Sequence, residues 1–266
     1  MKRQKHCVMN FLKTRLWIVW IGLTGMFIPA ESQTMHAVLV GDLSKSGGIG
    51  GGVQQDLDRV YNELRFICNT LQLELESTML STEDQFERDV VLGELNKIPD
   101  KADIIFFYYS GHGYCQEKDN LPYLQIYGGL HIQEVIQAVR EKQSRLAILL
   151  TDCCNGPPPQ QYHDRSDIRN IPSKQQRANL AFLFQSFRGE IIGTASRYGQ
   201  EAYIGPNGSY FTQAFFDALQ SNTTNEMKPN WAMIFNQAQQ ETRKTVERIK
   251  FDQQVPYYTM SISRIK

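Results

Sequence analysis

Two short stretches carry the side chains that could do chemistry. Ala147-Ile-Leu-Leu-Thr-Asp-Cys-Cys-Asn-Gly156 runs four apolar residues into Asp152, two thiols, an amide and a glycine. Ala102-Asp-Ile-Ile-Phe-Phe-Tyr-Tyr-Ser-Gly-His-Gly-Tyr114 ends in an imidazole held between two glycines. Thiolate is the reactive form of cysteine, and near neutral pH it needs a neighbouring base or positive charge to form. His112 offers that base. The small bulk of Gly113 lets a substrate backbone approach, and its N–H together with that of Cys154 could form an oxyanion hole. The chemistry this suggests is acyl transfer by a cysteine hydrolase. A histidine in a core has no use for flanking glycines, so His112 reads as functional rather than as packing.

Both stretches have the form of a buried strand that opens into a loop at its C-terminal end. In open α/β sheets this is the end that presents ligands and reacting groups. The remaining pattern supplies such a sheet. Strands are expected over 36–42, 72–76, 102–110, 147–152, 189–196 and 255–262. Helices are expected over 53–71, from the capping signal at Ser81, Thr82 and Gln85 to Lys97, around 132–139, over 209–219 and over 231–249. Alternation of strand and helix means an α/β domain with a largely parallel sheet. The last strand contains Pro256, which suits an edge. Leu121–Tyr127 reads as a hairpin or extended loop. Residues 44–52 read as a glycine-rich loop without the Gly-Lys-Ser/Thr ending of a phosphate cradle. Gly156-Pro-Pro-Pro159 stops regular structure, and residues 157–180 read as a long loop.

The chain has 266 residues, 41% apolar and 21% charged, which is enough for one large domain without staples. Basic and acidic residues number 28 each. Five basic residues and one acidic lie within residues 1–32, so the remainder is net acidic. No basic stripe argues for nucleic acid. Basic residues at the N-terminus precede Leu16–Ala30, an apolar run too short for a bilayer span of roughly 20 residues. Ala30-Glu31-Ser32 then offers small residues for cleavage. The segment 1–32 is read as a secretory signal and 33–266 as the mature domain. That makes the protein secreted or periplasmic, with no stable membrane insertion; an uncleaved N-terminal anchor is the other reading. Oxidising surroundings permit disulfides among Cys68, Cys115, Cys153 and Cys154. Cys68 lies on the apolar face of its helix and reads as core, adjacent Cys153 and Cys154 bridge only with strain, and a Cys115–Cys153 bridge is conceivable. No metal-ligand spacing is present. Asn207-Gly-Ser209 and Asn222-Thr-Thr224 match the glycosylation sequon.

Taken together the stretches resemble the caspase-like cysteine peptidases, metacaspases and bacterial caspase-domain proteins in particular. Tyr109-Ser110-Gly111-His112-Gly113 resembles the family's histidine motif and Asp152-Cys153-Cys154-Asn155-Gly156 its cysteine motif. Val40-Gly41-Asp42 with Asp56, Ala195-Ser196, and Gly208-Ser209-Tyr210-Phe211-Thr212 extend the likeness along nearly the whole chain after residue 32. Asn155 and Gly156 stand where metacaspases usually carry histidine and serine. The resemblance implies a three-layer sandwich around a mostly parallel six-stranded sheet. It implies an endopeptidase with Cys154 as nucleophile, His112 as base and Cys153 in a position often held by serine. It further implies that Asp152 and Asp56 line the pocket for the residue before the cut, which would favour Arg or Lys. Calcium activation is possible by the same analogy, and the partner is a peptide or protein substrate. Asp56 read from its position alone is a solvated helix start, and Asp152 a turn cap. Two other functions fit the same residues: a catalytically silent caspase-fold scaffold, and an Asp-specific protease using Arg197. Lys174, Arg177 and Arg188 are candidate self-cleavage points.

Overall fold

The computed structural model describes residues 33–43, 48–116, 120–155, 171–205, 207–249 and 251–265. In chain order the elements are β1 (Thr34–Gly41), α1 (Gly50–Leu71), β2 (Glu74–Leu80), α2 (Arg88–Lys97), β3 (Ile104–Ser110), β4 (Gly113–Tyr114), β5 (Tyr123–Leu124), β6 (Leu130–His131) and α3 (Ile132–Glu141). They continue with β7 (Leu146–Asp152), α4 (Lys174–Gln185), β8 (Phe187–Thr194), β9 (Ile204–Gly205), β10 (Gly208–Ser209), α5 (Tyr210–Thr224), α6 (Trp231–Arg248) and β11 (Tyr257–Arg264).

Six strands form one sheet in the order β11-β8-β7-β3-β1-β2. All neighbours are parallel except β11, which runs antiparallel to β8 at the edge. The central strands are apolar throughout because helices cover both faces, so alternate side chains enter different cores. Leu39, Phe106, Ile148 and Ile191 point into a core with α1, α4, α5 and α6. Val38, Ile105, Leu149 and Ile192 point into a second core with α2 and α3. This is the expected three-layer α/β architecture, with six helices among the described residues around a mostly parallel sheet.

The helix ends explain where elements stop. Ser173 accepts from the Gln176 N–H at 3.1 Å and Asn230 accepts from Met233 at 2.8 Å, starting α4 and α6. His131 and Glu134 form a reciprocal capping box on α3. Gln72 in the left-handed region, φ 59°, ends α1 and turns the chain into β2.

Several expectations need correction. β2 covers 74–80 rather than 72–76. The signal at Thr82 makes a turn, with Gln85 and Phe86 both donating to its carbonyl, and α2 begins only at Arg88. Gly50, Gly51 and Gly52 belong to the first turn of α1, not to a loop, while residues 44–47 lie outside the described ones. The expected loop 157–180 ends early, because α4 starts at Lys174. Lys174 and Arg177 therefore sit in a helix and Arg188 in β8, settings that resist a protease. The stretch 121–127 contributes only Tyr123–Leu124 to a small sheet ordered β4-β5-β6. Asn222 is buried in α5 and donates to Ala218 and Gln237, so it is no glycan acceptor. The proposed signal, residues 1–32, and Cys7 lie outside the described residues.

Candidate active site

At the C-terminal end of the sheet, Gly41, Ser110 and Asp152 stand level across β1, β3 and β7. Beyond this line each strand turns out of the sheet carrying one part of the site. The Gly111 N–H donates to the Asp152 carbonyl at 3.2 Å, which ties the histidine loop to the cysteine loop. The His112 carbonyl accepts from the Tyr109 hydroxyl at 2.6 Å and from the Gln125 N–H at 3.0 Å. Two donors on one carbonyl fix the backbone that carries the imidazole. Gly113 then pairs with Leu124 in the small sheet. A Cβ at Gly113 would stand 2.7 Å from both Cys153 Sγ and the Cys154 carbonyl, so glycine is what lets these two loops touch.

His112, Cys153, Cys154 and Asp152 line one small cleft with Ala202 and Ser209. His112 and Cys154, expected as base and nucleophile, line the same cleft. The Cys154 sulfur is turned toward Ala202, whose N–H reaches it at 3.5 Å and whose carbonyl it faces at 3.6 Å. Among the described residues the His112 imidazole makes no hydrogen bond. Cys154 is only 4% exposed. Burial pushes its thiol up to about 11, and the charges of Glu201 and Asp152 add to that against the opposing Ala202 bond. Cys153 is buried as well, and burial raises its thiol well above the ordinary range. The cleft volume is about 20 Å³, room for about one water. All four cysteines outside the N-terminal segment are free thiols, so the conceivable Cys115–Cys153 bridge is not formed.

Asp56 and Asp152 meet beneath this cleft. Asp56 is 1% exposed, not a solvated helix start. It accepts from the Ser209 N–H at 2.7 Å, the Ser209 hydroxyl at 2.5 Å and the Ser110 hydroxyl at 2.7 Å. Asp152 caps no local turn; it accepts from the Thr212 N–H at 2.9 Å and hydroxyl at 2.7 Å, across the sheet to α5. Burial raises Asp56 to about 6 against these hydrogen bonds, which favour its charge. Burial, and then the charge of Asp56, raise Asp152 well above the usual carboxylate range. Arg59 acts on Asp56 as the smallest of these influences, and it is held by Asp217 at 2.6 Å. Gly208 adopts φ +100° so that the chain can pass Asp56, whose carboxylate a Cβ there would strike. Arg197 is exposed and does not enter this pocket.

Sequence reasoning found both carboxylates but assigned no role to Ser110, Ser209 or Thr212, which hold them. It also missed Gln254. That side chain is fully buried, accepts from the Tyr203 N–H at 3.1 Å and donates to the Ala195 carbonyl at 3.0 Å. Tyr203 stacks on Phe251 at 4.5 Å, and Gln200 accepts from the Val255 N–H at 2.9 Å. The segment 251–255 thereby fixes the 197–205 loop that bears Ala202. Gln254, the second of two adjacent glutamines in a short polar run, gives no sequence signal of this. Among the described residues no group of three or more His, Cys, Asp or Glu side chains is placed to hold a metal ion.

Comparison with known proteins agrees with the architecture. A family model described as Caspase domain matches residues 53–264. No curated protein matches the chain. Among solved structures, caspase-1 from Spodoptera frugiperda is similar in fold, with TM-score 0.54 and 12% identity, covering 86% of this chain and 88% of that one. The family match spans most of the sequence, and the chain belongs to the caspase domain family of cysteine peptidases.

Proposed function

We propose that the protein is an exported cysteine endopeptidase that cuts after Arg or Lys through His112 and Cys154. The observation that carries the specificity is the Asp56–Asp152 pair: two buried carboxylates, linked to the cleft through Asp152 and Ser209, on which Arg59 acts only as the smallest influence on Asp56. Each raised carboxylate marks charge that burial disfavours, and an arriving guanidinium or ammonium offsets that penalty directly. A pocket for an aspartate side chain would need the opposite charge.

The mechanism follows from the residues present. His112 removes the proton from Cys154 Sγ, and the thiolate attacks the carbonyl carbon of the residue held over Asp152. The oxyanion is received by the Gly113 and Cys154 N–H groups, and His112 returns its proton to the departing amine. Water, deprotonated by His112, then releases the acyl group from sulfur. For this the Ala202 contacts with Sγ must give way and the cleft must widen, because about 20 Å³ admits no basic side chain.

The test is hydrolysis of fluorogenic peptides with Arg, Lys or Asp before the cut, using reduced protein, with and without calcium, beside Cys154→Ala. Cleavage after Arg and Lys that vanishes in the variant is the expected result. Cleavage after Asp would remove the pocket assignment and keep the enzyme. The covered sulfur also supports a second reading, a caspase-fold scaffold without turnover; silence across the panel favours it. N-terminal sequencing of protein recovered outside the cell is expected to begin at Gln33.

A further inference from the structure

The opposite end of the sheet carries a second cavity, about 710 Å³ in volume. It lies where β3, β7 and β8 begin, bounded by the turns that precede them and by β11. This size falls in the range of roughly 300–1,000 Å³ typical of small-molecule sites. Lys101, Arg145 and Arg188 line it, and no carboxylate does. Ser144, Ser261 and Ser263 add hydroxyls, while Met260 and Ile262 add an apolar stretch.

Two of the nearby carboxylates are engaged with other cations. Asp100 faces Lys142 at 3.9 Å, and Glu190 pairs with Arg140 at 2.8 Å. Asp103 lies 3.8 Å from Arg145 Nε, an ion-pair distance too long for a hydrogen bond, and its other oxygen accepts from the Thr34 N–H. Arg145 gives Nη1 to the Phe184 and Phe187 carbonyls, both at 3.0 Å. Its Nε and Nη2 are buried and have no acceptor. Burial pulls this guanidinium below its ordinary range, against the opposing attraction of Asp103. Lys101 and Arg188 are exposed, and among the described residues neither has an ion pair.

We propose that this cavity binds a phosphorylated small molecule. Lys101 and Arg188 donate to the phosphate oxygens, the serine hydroxyls complete the shell, and the underpaired Arg145 supplies charge from behind. Arginine and lysine with hydroxyls are the usual donor set for phosphate, and Met260 and Ile262 offer a surface for the uncharged body of the ligand. The site stands apart from the cysteine and does not depend on the peptidase reading.

Inorganic pyrophosphate is the probe, titrated calorimetrically into the full chain, its Lys101→Ala and Arg188→Ala variants and the double variant. One saturable site is expected in the wild type. Each single variant should weaken it about tenfold and the double variant more than additively for a shared phosphate, with the wild-type affinity falling as salt rises. Both residues are exposed, so folding is not at stake, and pyrophosphate should raise the melting temperature most in the wild type, less in each single variant and least in the double variant. Equal affinity in wild type and double variant, or no saturable binding to the wild type, would overturn the proposal.

Discussion

At the scale of residues, the Asp56–Asp152 pair decides how the protein responds to pH. The folded state holds Asp56 near 6 whereas an unfolded aspartate titrates near 3.9, so between those values the folded state binds more protons. Stability from this pair is therefore greatest below about pH 4 and falls as pH rises through about 6. Asp56→Asn should flatten that part of a melting-temperature profile, which thermal denaturation from pH 4 to 7 would reveal. The same variant should remove Arg/Lys hydrolysis, by at least a hundredfold if a buried charge pair is lost. For the wild type, kcat/KM with Arg peptides should fall as pH drops through about 6, since protonated carboxylates no longer attract the cation; a profile independent of Asp56 would refute the pocket. His112 and Cys154 were legible in the sequence because strand-end chemistry is local, whereas the pocket roles of Asp152 and Asp56 came only from the family resemblance, Asp56 lying inside α1 where position alone suggests a solvated helix start. Ser209 and Thr212 were not, because their hydroxyls matter only through contacts some 60 to 150 residues away in sequence.

Elements explain what the residues cannot. The cysteine loop is fixed from one side by Gly113 and from the other by the 197–205 loop, through Asn155 donating to the Gln200 carbonyl at 3.0 Å. Gly113→Ala should displace the Cys153–Cys154 backbone and lower kcat/KM about a hundredfold while the fold survives. Gln254→Ala leaves the Tyr203 N–H and the Ala195 carbonyl without their partner, a cost of about 1–3 kcal/mol for each group. That should loosen 197–205, seen as faster amide exchange there, and raise KM more than it lowers kcat. Element boundaries were the weakest part of the sequence reading for the same reason. Ser81 and Thr82 are good caps in isolation, yet Glu87 first bridges to Tyr127, whose N–H donates to the Phe86 carbonyl and whose carbonyl accepts from Arg88, and α2 waits until Arg88.

The whole molecule rests on two cores back to back on one sheet, and this architecture was the most legible feature of all. Continuous apolar strands alternating with amphipathic helices admit few other arrangements. What the pattern did not display was how aromatic the larger core is. Trp231 is 1% exposed, meets Phe184 edge-on at 5.2 Å and donates to the Leu183 carbonyl at 3.3 Å. Phe215 touches Phe211, Phe216 and Phe235. Trp231→Ala should cost about 3–5 kcal/mol and lower the melting temperature by on the order of 10 °C, measurable by calorimetry.

The sulfur of Cys154, clasped by the backbone of Ala202, also orders the thiols by their accessibility to alkylating reagents. Cys115 is half-buried and should react first with iodoacetamide. Cys154 should react only as often as the 197–205 loop swings away, so its labelling rate counts loop openings rather than intrinsic nucleophilicity. Cys153 and Cys68 should remain unlabelled until the chain unfolds. Mass spectrometry of a timed alkylation would read this sequence of events directly. A peptide with a basic side chain, by holding the cleft open, should protect the sulfur physically while making its surroundings more exposed.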